Sequence, residues 1–201
     1  MNHAVAAIVL GGCAALQTPA LAFEPRPPQA PEAVFGFGGV ITAEDMGRSA
    51  NPFTVDYERR IVLGGGYQQF FHESARGLQF GMEVGASVRA IAGVTGELWG
   101  GPVIRHDGLT LFETVRISPS FTAALSAVSN AHPGRERDLE ERSDGNAHLL
   151  FYLGPEIGIS RADRPDVEAF WRLHHRSGAN RTLGNMRGAK NANVVGLRWR
   201  Y

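Results

Sequence analysis

The sequence predicts an all-β protein: an eight-stranded antiparallel up-and-down transmembrane β-barrel of the bacterial outer membrane. Three observations lead there. After an N-terminal lead-in the chain breaks into segments of about ten residues in which apolar and polar side chains alternate, the period of a strand. No amphipathic helix of useful length is visible, and no apolar run in the body reaches the roughly 20 residues that a spanning helix needs. The polar strand faces are rich in Gly with isolated charges, and only 1 of the 20 basic residues is Lys, so the usual watered surface is missing. A membrane barrel accounts for all three, with its apolar face toward lipid and its polar face in the lumen.

The elements follow in order. Residues 1–22 carry no charged side chain, and the apolar run Ala4 to Leu16 leads to the small-residue pattern Ala20-Leu21-Ala22. That is the pattern of a secretory signal peptide cleaved after Ala22. Cleavage there removes Cys13, the only cysteine, and with it any thiol nucleophile or disulfide. A Pro-rich lead-in, 23–33, precedes a single barrel domain, 34–201. Candidate strands lie near 34–43, 57–71, 78–91, 96–105, 109–122, 147–160, 167–177 and 192–201.

The third strand, LQFGMEVGASVRA, has Leu78, Phe80, Met82, Val84 and Val88 on one parity and Gln79, Glu83, Ser87 and Arg89 on the other. LLFYLGPEIGIS and the closing VVGLRWRY repeat the pattern, the latter ending on the aromatic Tyr201. An even strand number puts both ends in the periplasm. Outer loops then fall at 44–56, 92–95, 123–146 and 178–191, and short turns at 72–77, 106–108 and 161–166. GRERDLEERSDG, Gly134 to Gly145, reads as a solvated outer loop whose arginines can face lipid phosphates. By parity Glu83, Arg89, Glu156, Glu168, Arg172, His174, Arg198 and Arg200 face the lumen, where each needs an opposite charge nearby.

Composition narrows the function. The 20 basic and 20 acidic residues cancel, which argues against a nucleic-acid partner. The 7 histidines are scattered without a metal-ligand spacing, so neither a metal nor another cofactor is expected. The stretch that carries chemistry is FWRLHHRSGAN, Phe170 to Asn180. Val167, Ala169, Trp171 and Leu173 share the lipid-facing parity, and His175 and Ser177 continue it, whereas His174 points inward. Two residues apart on one face, the Cβ atoms of His175 and Ser177 lie about 6–7 Å from each other, within reach for a hydrogen bond between their tips. A base beside a hydroxyl is the minimum unit of nucleophilic acyl transfer.

HRSGAN, the Asn-containing run after it and the final GLRWRY resemble the C-terminal signature of the outer-membrane lipid A 3-O-deacylases, the PagL family of acyloxyacyl hydrolases. The resemblance is carried by about the last 30 residues together with barrel architecture and length. It implies an esterase that removes an ester-linked acyl chain from lipid A of lipopolysaccharide, within outer-membrane lipid and with no cofactor. Ser177 would be the nucleophile, His175 the base, and the backbone amides of Gly178, Ala179 and Asn180 the oxyanion hole. The family has Asn-Ala-Gly after its Ser, where this chain has Gly-Ala-Asn, and its acid falls on Ala189. By parity Asn191 and Asn193 face the side of His175 and are candidates for the third catalytic member, with Asp144 as an acid from the neighbouring outer loop. The alternatives are a non-catalytic barrel, structural or an adhesin, and a soluble lipocalin-like binding module. A homodimer is compatible with the sequence.

Overall fold

The computed structural model describes residues 30–201. The expected signal peptide and most of the Pro-rich lead-in lie outside the described residues.

Among the described residues, nine strands and two short helices follow one another as β1 (Glu32–Thr42), α1 (Met46–Ser49), β2 (Tyr57–Glu73), β3 (Leu78–Ala90), β4 (Thr95–His106), β5 (Leu109–Leu111), β6 (Val115–Val128), α2 (Arg135–Ser143), β7 (Leu149–Arg161), β8 (Arg164–Ser177) and β9 (Ala189–Arg200). All but the three-residue β5 are barrel staves. Each stave pairs antiparallel with its sequence neighbour, and β1 pairs with β9 as β4 pairs with β6, so the sheet closes without an edge. The longer connections, 43–56, 129–148 and 178–188, gather at one end together with the short turn 91–94, and the connections 74–77, 107–114 and 162–163 lie at the other.

The wall is inverted relative to a soluble barrel. Leu63, Val84, Leu98 and Val195 are each more than half exposed, whereas Glu83, Arg172 and Arg198 are sealed inside. Only a lipid solvent makes that distribution favourable. Every charged side chain assigned to the lumen by parity is buried there and finds an opposite charge. The Glu83 carboxylate is the hub: it accepts from Gln68 Nε2 at 2.6 Å, Trp99 Nε1 at 2.9 Å, Thr122 Oγ1 at 3.1 Å and both Arg172 Nη atoms at 2.8 Å. Arg172 Nε continues to Glu156 at 2.8 Å, and Arg198 bridges Glu156 and Glu168. Arg105 pairs with Glu168, Arg200 with Asp107, and Arg89 with Glu97 and Glu136. Phe35, Phe37, Trp99, Tyr152 and Phe170 fill the space between. Glycines make that filling fit: a Cβ on Gly85 would sit 2.1 Å from the Trp99 ring, and one on Gly158 2.2 Å from the Glu168 carboxyl.

Three expectations need correction. The fifth stave is Val115–Val128, not 109–122. Residues 109–117 fold back on themselves through Phe112 and Glu113, both at positive φ, a tight turn without the Gly or Asn that would have announced it. The charged stretch 134–145 is not a free loop but the helix α2, made of good helix formers with acidic Glu136 and Asp138 in its first turn. Its Glu136 is buried over the barrel mouth, where Arg89, Arg176 and the His132 amide all donate to it. Burial alone would raise the Glu136 carboxyl, but the two guanidinium groups outweigh that and hold it below the usual carboxylate range. Finally, the closing stave begins at Ala189, not near 192, and loop 43–56 lies against it. The loop folds down the outside of the wall and its helix α1 packs against β9.

Candidate active site

The site grows out of the outer end of β8. There the period of two sends His174 and Arg176 into the lumen and His175 and Ser177 to the outside of the wall. His174 Nε2 lies 3.0 Å from the Glu97 carboxylate, within rings of Phe37, Trp99 and Tyr152. Next door, the Ser177 hydroxyl is 3.1 Å from His175 Nε2. His175 Nδ1 is 2.6 Å from Oδ1 of Asn191, its cross-strand partner on β9. Since a carbonyl oxygen only accepts, Nδ1 carries the proton and Nε2 offers its lone pair to the serine O–H. The order Ser–His–Asn is that of a nucleophile, a base and a group that orients the base.

The other nominated residues sort themselves around this line. Asn193 shares the face but does not reach His175. Its Oδ1 accepts from Trp171 Nε1 at 3.1 Å, and its Nδ2 donates to the Ser49 carbonyl at 3.1 Å and to Tyr57 Oη at 3.2 Å. Asp144 serves as the left-handed C-cap of α2, and its carbonyl accepts from Asn185. Both ring nitrogens of His175 are already engaged by Ser177 and Asn191.

Gly178, Ala179 and Asn180 open loop 178–188. Ala179, Asn180 and Arg181 hold φ of 46°, 55° and 78°, three successive left-handed residues without a glycine among them, a conformation that costs on the order of 1–2 kcal/mol per residue. The loop sustains it by closing on itself: Arg181 N donates to the Met186 carbonyl at 2.9 Å and Leu183 N to that of Gly178 at 3.0 Å. The amides of Gly178, Ala179 and Asn180 take no part in these loop bonds. A Cβ on Gly178 would lie 2.5 Å from the Met186 carbonyl oxygen, so only glycine lets the chain pass. Met186 then packs with Ala131, Ala147 and Leu150, and Leu139 of α2 joins them, tying the loop to the rest of the outer end.

Beside Ser177 an apolar groove of about 640 Å³ runs across the outside of β7, β6 and β4, between Phe151, Leu153, Leu125, Ala123, Pro102 and Gly100, with Ala179 at its head. Sequence parity placed the pair on the lipid side but missed two things. His175 is only 5% exposed, because loop 43–56 covers this part of the wall. Asn191 is also held from that loop, its Nδ2 donating to the Glu44 carbonyl at 2.8 Å. A main-chain acceptor leaves no mark in a sequence.

This barrel is similar to that of the outer-membrane enzyme PagL. The two superpose with a TM-score of 0.55 over 83% of this chain and 98% of that one, at 15% identity, a likeness of fold. Neisserial surface protein A gives a TM-score of 0.48 over 85% and 97% of the two chains at 12% identity. Ail, the attachment invasion locus protein of Yersinia pestis, gives 0.39 over 86% and 99% at 10%. No family model matches the sequence, and no curated protein matches it.

Proposed function

We propose that the protein is an outer-membrane esterase that removes an ester-linked acyl chain from lipid A of lipopolysaccharide. The observation that carries this reading is the hydrogen-bonded His175–Ser177 pair on the lipid-facing wall, opening directly onto an apolar groove. A soluble substrate has no route to that groove through a bilayer; a membrane lipid is already there. Exposed Arg181 and Arg187 on the same outer loop supply positive charge at headgroup level, suited to the phosphates of such a lipid.

In the reaction, Ser177 Oγ attacks the acyl carbonyl while His175 Nε2 takes its proton. The resulting oxyanion receives hydrogen bonds from the backbone amides of Gly178, Ala179 and Asn180, which take no part in the bonds that close the loop. Each such donor is worth about 3 kcal/mol of transition-state stabilisation. Collapse breaks the ester bond, and the imidazolium returns its proton to the departing sugar hydroxyl. Water, deprotonated by the same nitrogen, then releases the fatty acid and regenerates Ser177. Asn191 fixes the ring throughout.

The competing reading is a non-catalytic barrel, and the neutral Asn191 in place of an acid favours it. Mass spectrometry of lipid A separates the two. Cells making the wild-type barrel should lose the mass of one acyl chain, and cells making Ser177→Ala should not. An unchanged profile with folded wild-type protein in the outer membrane would refute the esterase.

A further inference from the structure

We propose that loop 43–56 is a positioning element for His175. Docked by Asn193, it presents the Glu44 backbone carbonyl, which orients the Asn191 amide and thereby sets the tautomer in which His175 Nε2 can accept the Ser177 proton. This rests on the esterase reading for its purpose, though not for its geometry.

The logic is one of donors and acceptors. An unheld asparagine amide has two orientations of nearly equal shape, with oxygen and nitrogen exchanged. In one, Oδ1 faces His175, Nδ1 carries the proton and Nε2 is a base. In the other the amide NH2 donates to Nδ1, the proton moves to Nε2, and the ring can no longer accept from Ser177. The Glu44 carbonyl, 2.8 Å from Asn191 on the far side, decides between them because it can only accept and so must face Nδ2.

The same logic runs one step further out. Trp171 Nε1 only donates, so it faces Asn193 Oδ1 and leaves Nδ2 to hold the Ser49 carbonyl at 3.1 Å. The Ser49 hydroxyl meets Thr42 Oγ1 at 2.7 Å, and the Asp45 side chain accepts the Arg48 amide at 3.0 Å to close α1. Thr42 and Ser49 are fully buried, and Asn193 nearly so, on a wall that otherwise faces lipid. The loop is therefore pinned at the point from which Glu44 reaches Asn191. Asn193 touches neither Ser177 nor His175; it acts through the loop.

The test reads the tautomer directly, by nitrogen-15 NMR of histidine-labelled protein in detergent micelles, with His175→Gln to assign the signal. Wild-type protein should show His175 protonated on Nδ1. Asn193→Ala and Asn193→Asp, which both lose the donor to Ser49, should show a mixture of tautomers while keeping the heat-dependent gel shift of a folded barrel. On lipopolysaccharide in mixed micelles the same variants should lose up to about 100-fold in kcat with KM unchanged, as small misplacements of catalytic groups do. A wild-type His175 protonated on Nε2 overturns the proposal whether or not the variants fold, and so does an unaltered tautomer in folded Asn193→Ala. A tautomer that responds in an enzyme releasing no fatty acid sinks the esterase reading and leaves the positioning intact.

Discussion

Asn191→Ala is the substitution that measures how much a neutral orienting group contributes. Asn191 is 1% exposed and makes two short bonds, 2.6 Å to His175 Nδ1 and 2.8 Å to the Glu44 carbonyl. While the imidazole is neutral, the first bond is worth about 0.5–1.5 kcal/mol; when the ring takes the Ser177 proton it becomes a bond from a cation, worth about 1.5–3 kcal/mol. Only the excess of the second value over the first, about 1–1.5 kcal/mol, bears on kcat, which should fall roughly 5- to 13-fold. That is well short of the roughly 10,000-fold lost when a triad carboxylate is replaced by an amide that enforces the wrong histidine tautomer, because alanine removes the orienting bond without imposing that tautomer. The assay is release of free fatty acid from lipopolysaccharide micelles, with Ser177→Ala as the floor. Wild-type activity in Asn191→Ala would show that the Asn–His bond does not orient the base. Activity at the Ser177→Ala floor would show that Asn191 does more than orient.

Ser177→Ala and His175→Ala should each abolish deacylation, and the double variant should be no worse, because the two act as one unit; additive losses in the same assay would contradict this. His174→Ala removes a lumen bond to Glu97 and should lower stability while sparing the serine site; loss of activity in a folded His174→Ala barrel would place the chemistry in the lumen. Glu83→Ala strands donors from Gln68, Trp99, Thr122 and Arg172 at once and should cost about 3–5 kcal/mol in denaturant unfolding, whereas a cost below about 1 kcal/mol would mean the hub is dispensable. Burial, then nearby Arg89 and Lys190, push the His132 imidazole in loop 129–148 down to about 4. The unfolded chain therefore binds the proton first, and stability should fall as pH drops from about 6.5 toward 4; a His132→Asn barrel with the same slope over that window would refute the assignment.

The lumen was legible because parity is a strict rule: once Leu78 to Ala90 is a strand, Glu83 and Arg89 have nowhere to go but inward. The His175–Ser177 juxtaposition was legible for the same reason, since strand geometry alone puts residues two apart on one face. What escaped was set by contacts distant in sequence or by main-chain atoms. Nothing in TAEDMGRSA says that this segment lies along the barrel wall, because its attachments run to Asn191 and Asn193 about 145 residues away. The start of β6 was misread because its turn is built from Phe112 and Glu113, residues that seldom take positive φ. The helix in 134–145 was hidden by its charge: Glu136 looks like a solvated residue until two buried arginines are found beneath it.

The placement of the polar pair also argues for what it does. A histidine, a serine and two asparagines on a lipid-facing wall are costly unless their hydrogen bonds are closed locally, since lipid offers none. A barrel needing only stability would carry Leu or Val there, as it does at Val84, Leu98 and Val195. Here the polar atoms are satisfied in series, from Ser177 through His175 and Asn191 to Glu44, and from Trp171 through Asn193 to Ser49, and a whole outer loop is folded down to finish the chain. The lumen cannot host the same chemistry, because ion pairs and aromatic rings fill it from Arg200 to Glu136. A hydroxyl and a base set outside, beside an apolar groove and at the end where the arginine-bearing loops gather, meet only molecules that have an acyl chain in the bilayer and a polar head at its surface. On the proposed reading, that restriction is itself the enzyme's first level of substrate selection.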